Sequence, residues 1–239
     1  MSFKPKFISF DCYGTLINFE MGPTAKRLFE DRVPADRMPA FLHSFRFYRL
    51  DEVLGEFKPF SDVVANSIQR TCHAHGVEYR PSDAAAIYDA VKTWQPHPHV
   101  VETLQAIAQQ IPLVILSNSM VDLIPHSVAH LEAPFHAVYT AEEANAYKPR
   151  AQAFEYMFDR LGCGPEQMVH VSSSFRYDHM TAFDLGFKGQ AFIDRGHETW
   201  CEGYGVQRLT DFRQLAEMVG VALPAQASPA QASPAQRVG

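Results

Sequence analysis

Cysteine is scarce and scattered: Cys12, Cys72, Cys163 and Cys201 are the 4 in a chain of 239 residues, and no two form a CxxC pair. That spacing offers neither a disulfide framework nor a zinc knuckle, and a reducing cytoplasm is the expected compartment. Long apolar runs are also missing. No stretch reaches the ~18 apolar residues of a membrane-spanning helix, and the opening Met-Ser-Phe-Lys-Pro-Lys-Phe-Ile-Ser-Phe is too short for a secretion signal. Nor is there an excess of positive charge. The 21 basic residues are scattered among 27 acidic ones, leaving a net charge of -6, so neither nucleic acid nor a membrane is an expected partner. Among the 11 histidines the densest group is Gln95-Pro96-His97-Pro98-His99, which has no third ligand at zinc spacing, so no metal and no cofactor is expected.

What is there is the composition of a packed globular protein, with 46% hydrophobic and 20% charged residues. Short apolar runs bounded by polar residues predict strands at Phe7-Ile8-Ser9-Phe10, Leu113-Val114-Ile115-Leu116, Ala137-Val138-Tyr139-Thr140, Met168-Val169-His170-Val171 and Gln190-Ala191-Phe192-Ile193. Helical stretches lie between the later ones, at Val100 to Gln110, Asp122 to His130, Ala151 to Leu161 and His179 to Leu185. That alternation predicts an α/β fold built on a doubly wound parallel sheet. Residues from about 20 to 95 carry helical periodicity instead, with Phe41, Phe45 and Tyr48 and then Val64, Ile68 and Cys72 on spaced faces. The expected organisation is a core of residues 1–18 and 96–223, an inserted helical cap at 19–95, and a disordered tail at 224–239, where a Pro-Ala-Gln-Ala-Ser repeat offers nothing to bury.

In open α/β sheets ligands bind outside the carboxyl ends of the strands, so the chemistry is sought there. The first strand ends in Asp11-Cys12-Tyr13-Gly14-Thr15 and the second in Ser117-Asn118. The third leads through Ala146-Tyr147 to Lys148-Pro149, and the fourth runs into Ser172-Ser173-Ser174 and on to Asp178. Taken singly these are turn formers, helix caps and surface loops. Four distant segments delivering polar groups to one sheet edge make a stronger pattern.

This set resembles the haloacid dehalogenase superfamily, with Asp11, Ser117, Lys148 and Asp178 at its motif positions. The resemblance implies a Rossmann-like core with a helical cap. Phosphoryl transfer needs an acid for the leaving oxygen and usually Mg²⁺. The phosphatase branch supplies a second Asp two residues after the nucleophile, but Tyr13 stands there. Asp-x-Tyr-Gly-Thr resembles instead the 2-haloacid dehalogenase subgroup, where halide leaves unprotonated and no metal is required. The implied reaction takes a short 2-haloalkanoic acid to the 2-hydroxy acid through an ester on Asp11. By the same resemblance Thr15 bonds the nucleophile, Lys148 keeps it ionised, and Arg46 with Asn118 receives the halide, Arg49 being the neighbour one turn along. Ser117, Ser174 and the backbone around Cys12 and Tyr13 meet the substrate carboxylate, Asp178 orients or deprotonates the hydrolytic water, and a homodimer is expected.

Three departures from the subgroup's pattern stand out. Phe154 occupies the place of a tyrosine six residues after the motif lysine. Ser174 replaces an asparagine, and Asp178 arrives one residue late, as though the loop held one extra residue. These keep open a relative that cleaves another carbon–heteroatom bond beside a carboxylate, such as the ring of azetidine-2-carboxylate. For that chemistry Tyr48, Asp51, Trp94 and His97 could line a pocket for an ammonium group. A catalytically silent family member is the third reading.

Overall fold

A computed structural model describes residues 3–224, so the Pro-Ala-Gln-Ala-Ser tail from residue 225 onward lies outside the described residues. The first strand, β1 (Phe7–Phe10), is buried along its whole length. It is followed by four helices: α1 (Met21–Phe29), α2 (Met38–Leu54), α3 (Phe60–His75) and α4 (Pro81–Ala90). The chain then enters α5 (Val100–Ala108) and alternates through β2 (Leu113–Ser117), α6 (Ile124–Leu131), β3 (Phe135–Thr140), α7 (Ala141–Ala144), α8 (Ala151–Leu161) and β4 (Met168–Ser172). It closes with α9 (Met180–Asp184), β5 (Gly189–Ile193), β6 (Gln207–Leu209) and α10 (Gln214–Val219).

The strands form one sheet in the order β3-β2-β1-β4-β5-β6, and every pairing is parallel. Strands covered on both faces read as nearly continuous apolar runs, as β1, β2 and β4 do, their few polar members being buried Ser9, Ser117, His170 and Ser172. The five runs picked from the sequence are all strands. The sixth, β6, is a three-residue edge strand with Gln207 and Arg208 exposed, too short and polar to stand out. From β1 the chain moves outward through β2 to β3 and then crosses back to β4 on the other side of β1, so the strand order reverses between β1 and β4. Such a reversal opens a crevice at the strand ends.

The four helices between β1 and α5 bury Phe29, Phe41, Phe45, Val64 and Ile68 in an apolar cluster continuous with that of the sheet. Helix α3 shows how its ends are set. Pro59 starts it and Asp62 lies in its first turn, while Gly76 at φ 66° stops it by donating back to the carbonyls of Cys72 and His73. These helices are fastened to the sheet layers. Tyr147 donates to the carbonyl of Lys58 at 2.9 Å and stacks on Phe57, and Tyr88 reaches the Asp122 carboxylate at 2.9 Å. The helices therefore lie over the strand ends.

Candidate active site

Asp11 follows β1 at the centre of the sheet, its backbone N–H bonded to the Val171 carbonyl of β4. The chain then turns sharply through Gly14 at φ 94°, where a side chain would press on Ser173 Oγ at 3.3 Å. That turn brings Thr15 back over the carboxylate. Its hydroxyl donates to Asp11 Oδ2 at 2.7 Å and accepts from the Ser173 backbone N–H at 2.9 Å. On the other oxygen, Lys148 Nζ donates to Asp11 Oδ1 at 2.9 Å and also to Asp178 Oδ1 at 2.7 Å.

Asp178 is itself enclosed, with His170 Nε2 2.9 Å from Oδ1 and Ser172 Oγ donating to Oδ2 at 2.9 Å. His170 pairs with Ser9 across the β1–β4 ladder, and Ser9 Oγ lies 2.9 Å from His170 Nδ1. Burial holds the His170 imidazole below its ordinary range and therefore neutral, so its Nε2 hydrogen points at Asp178 while Nδ1 accepts from Ser9. A five-residue π-turn, Phe175–His179, accommodates the late arrival of Asp178. Such a turn holds one residue more than an α-helical turn.

The two carboxylates on Lys148 are pushed in opposite directions. Burial raises the pKa of Asp11 above the usual carboxylate range, outweighing the pull of Lys148. Asp178 is driven well below that range by Lys148 and His170, against the cost of its own burial. Lys148 is raised, because its two carboxylates outweigh its burial. The lysine thus holds two carboxylates in unlike states, Asp178 favouring its ionised form and Asp11 less so.

Above this floor lies a cavity of about 620 Å³. Its apolar wall comes from the inserted helices and includes Leu42, Phe45, Val63 and Trp94. Arg49 of α2 also lines it, sandwiched with its guanidinium 5.1 Å from the Phe19 ring and 4.8 Å from that of Phe45. Burial lowers its pKa only to about 10, so it stays charged at neutral pH. Nε of Arg49 is buried without a partner, as are Trp94 Nε1 and His97 Nε2 on the same cavity. The last wall is a segment after β5. Arg195 donates to the Thr15 carbonyl at 2.8 Å, His197 Nε2 lies 3.3 Å from Ser173 Oγ, and Glu198 accepts from Ser174 Oγ at 2.9 Å and from the Phe175 N–H at 2.8 Å.

The structure thus brings Asp11, Thr15, Lys148 and Asp178 into one contact set. Ser117 is buried at the end of β2 with its hydroxyl unpartnered. Asn118 lines the cavity, but its side chain is tied to the Lys148 backbone at both ends, accepting at 2.7 Å and donating at 2.9 Å, which leaves one amide hydrogen for a ligand. Tyr13 lines the cavity with its hydroxyl accepting from Ser127 at 3.0 Å, and burial raises its pKa. The Cys12 side chain is in the hydrophobic core, so only its backbone can face a substrate. Arg46 reaches the cavity rim but is half exposed, donating to the His197 carbonyl at 3.2 Å and facing Glu198 at 3.6 Å. Arg49 and Arg195 are the less exposed cations on the cavity, each with a buried Nε that has no partner, and Arg195 is already engaged by the Thr15 carbonyl. Of the groups weighed for an ammonium pocket, Trp94 and His97 line it, whereas Asp51 pairs with Arg70 at the surface and Tyr48 packs under Arg70. Phe154 is fully buried beside His170, away from the cavity lining.

The fifth strand end, Asp194-Arg195-Gly196-His197-Glu198 after β5, carries site groups outside the four strand ends read from the sequence, and the same strand-end rule would have found them. Among the described residues no group of three or more His, Cys, Asp or Glu side chains is placed to hold a metal ion, and no helix is long and apolar enough to cross a membrane.

The chain belongs to the haloacid dehalogenase-like hydrolases, whose family profile matches residues 5–186. It is 27% identical over 179 residues to haloacetate dehalogenase H-2 of Moraxella sp. (strain B), covering 72% of this chain and 78% of that protein. With the (S)-2-haloacid dehalogenase of Xanthobacter autotrophicus it shares 25% identity over 186 residues, 76% of this chain and 70% of that one. The fold matches the solved structure of L-2-haloacid dehalogenase from Xanthobacter autotrophicus with chloropropionic acid covalently bound. There the TM-score is 0.67 and the identity 22%, over 90% of this chain and 83% of that one.

Proposed function

We propose that this hydrolase displaces halide from a short 2-haloalkanoic acid, with Asp11 as the nucleophile and an aspartyl ester as the intermediate. The observation that carries the reading is the grip on Asp11. Thr15 holds one oxygen and Lys148 the other, at the centre of the strand ends and beside a cavity. A carboxylate so fixed can be held at the ~3–3.5 Å in-line approach that displacement needs. Its raised pKa leaves it a better nucleophile than an ordinary carboxylate while Lys148 keeps it oriented.

The leaving group requires no proton in this reading. Tyr13 stands where a phosphatase places its acid, and a phenol engaged by Ser127 with its pKa raised is poorly suited to protonate an oxygen. Arg49 is the group we assign to the departing halide: a charged guanidinium between two aromatic rings, with a buried N–H that has no other acceptor. Arg46, committed to Glu198 and His197, serves better to hold the wall together. The substrate carboxylate is met by the remaining Asn118 hydrogen and the backbone of the Asp11–Tyr13 turn, whereas Ser117, buried at the end of β2, does not line the cavity. Lys148 bridges the two carboxylates that a metal ion would otherwise join, which supports a metal-independent reaction.

The test is chloride release from each enantiomer of 2-chloropropionate in a chelator-containing buffer. Enantioselective release that survives the chelator and falls at least ~10⁴-fold in Asp11→Asn is the expected result. No release from either enantiomer would overturn the reading.

A further inference from the structure

Of the titratable side chains beneath Asp11, His170 has no part in halide displacement. It is fully buried on β4, with the rings of Phe154 and Phe187 5.5 and 5.4 Å from its own. An apolar residue would fill that place with no nitrogen to satisfy, whereas a buried imidazole must find partners for two. Both partners lead to one carboxylate. Burial keeps the ring neutral, so it carries a single hydrogen, and ionised Asp178 can only accept. The hydrogen therefore sits on Nε2, 2.9 Å from Asp178 Oδ1, and Nδ1 accepts from Ser9 Oγ at 2.9 Å. Ser9 is itself fully buried and is the register partner of His170 on β1.

Asp178 stands in the π-turn Phe175–His179 and is among the residues that line the cavity. Lys148 Nζ bonds it at 2.7 Å and Asp11 at 2.9 Å, so the two carboxylates are no more than about two hydrogen-bond lengths apart, a span that one water bridges. Oδ1 of Asp178 is filled by Lys148 and His170. Oδ2 accepts from Ser172 at 2.9 Å and, with two acceptor sites to each carboxylate oxygen, has room for one more hydrogen. The hold of Lys148 changes during the reaction, because ester formation cancels the charge of Asp11 and leaves Asp178 as the anion on that ammonium. The hold of His170 does not change, because neither Ser9 nor Asp178 is altered by ester formation.

We propose that His170, oriented by Ser9, is a positioning residue for opening of the ester: it fixes Asp178 Oδ1, so that Oδ2 keeps its free site for the hydrolytic water. This rests on the reading that Asp11 forms an ester and on Asp178 as the group that serves that water. The water oxygen bonds the Asp11 carboxyl carbon while one proton passes to Asp178. The bond from that carbon to the ester oxygen then breaks, and the departing alkoxide takes the proton from Asp178 and leaves as the 2-hydroxy acid. Asp11, now carrying the water's oxygen, gives its remaining proton to solvent. His170 stays neutral and exchanges no proton.

The test is single-turnover kinetics with a 2-haloacid, reading halide release and the mass of the Asp11 adduct in wild type, His170→Phe, His170→Gln and Ser9→Ala. Phenylalanine keeps the ring between Phe154 and Phe187 and removes the hydrogen, whereas the glutamine amide offers an N–H to Oδ1. Expected in His170→Phe is an undiminished halide burst, which reports an intact fold and nucleophile, followed by ester decay slowed ~10–10²-fold, as for loss of one hydrogen bond to a charged group. His170→Gln should recover most of the decay rate. Ser9→Ala leaves the ring in place and removes the hydroxyl that holds its tautomer, so decay should slow by a smaller factor of ~3–10. Decay at the wild-type rate in His170→Phe or Ser9→Ala, decay in His170→Gln as slow as in His170→Phe, or loss of the burst in every variant would overturn the positioning role while leaving the proposed function standing. No halide release and no adduct in the wild type with any 2-haloacid would overturn both.

Discussion

The floor and the roof of the cavity are built on opposite terms. Beneath Asp11 the polar groups are mutually satisfied: Ser9, His170, Asp178, Ser172 and Lys148 form one bonded set in dry surroundings. Overhead, the Arg49 Nε and Trp94 Nε1 donors are buried without a protein acceptor. A buried donor left without an acceptor costs about 1–3 kcal/mol, so a fold keeps several around one cavity only where something else supplies the acceptors. The floor is bonded within itself, whereas the roof presents free N–H groups to the cavity. Variants in the two regions should therefore fail differently.

The largest effect is expected in the floor. Lys148→Met leaves the Asp11 and Asp178 carboxylates facing each other without their shared cation. Breaking a buried ion set in this way costs ~3–5 kcal/mol, and at ~2–4 °C per kcal/mol for a chain of this size the melting temperature should fall by more than 6 °C at neutral pH. Activity should vanish with it. A melting temperature unchanged from wild type would mean that the floor is not held by its charges.

In the roof the signs of stability and activity should separate. Arg49→Met keeps the volume between Phe19 and Phe45 but removes a guanidinium with no carboxylate partner. Halide release should drop ~10²–10³-fold, as for loss of one preorganised donor, while the melting temperature holds or rises. Arg46→Met, which breaks the exposed contact to Glu198, should alter release far less. The reverse order would restore Arg46 as the halide group.

The two carboxylates on Lys148 offer a test by pH. Asp178 is depressed in the folded state, so it contributes stability that is present above its unfolded pKa of ~3.9 and is lost as pH falls through its folded value. Asp11 is raised, so its ionised form costs stability at neutral pH, and that cost disappears as pH falls through its folded value. Asp178→Asn should therefore destabilise most at neutral pH and progressively less toward acid. The acid limb of kcat/KM, which follows ionised Asp11, should lie above the ordinary carboxylate range. Denaturant unfolding from pH 7 to below ~3, where the Asp178 contribution is lost, and a pH–rate profile read these separately.

How much of this was legible in the chain depends on whether the information was local. Asp11, Ser117, Lys148 and Asp178 each end or follow a strand, and the strands announce themselves as apolar runs. The pairing of Ser9 with His170 is not local, since it exists only once β1 and β4 lie in parallel register. Helix α2 hid its inward face because apolar residues occupy several of its sides, with Phe47 and Leu54 exposed. With Arg46 and Arg49 one turn apart, only packing shows which one is enclosed. His197 and Glu198 were missed because a loop after an ordinary strand end carries no periodicity, and its meaning comes from Gly14 and Ser173 beside it.

The smallest expected effect concerns the tyrosine missing at Phe154, and it decides whether the floor is complete. Phe154 is fully buried, its ring 5.5 Å from that of His170 and 6.0 Å from that of Phe187, and it does not line the cavity. His170 already has both nitrogens engaged, by Ser9 and Asp178. A hydroxyl added in Phe154→Tyr would find no open partner on that ring and would cost ~1–3 kcal/mol for its burial. The melting temperature should fall by a few degrees, with halide release per folded molecule unchanged. Faster release in this variant would show that the floor lacks a donor and that His170 only partly replaces the phenol.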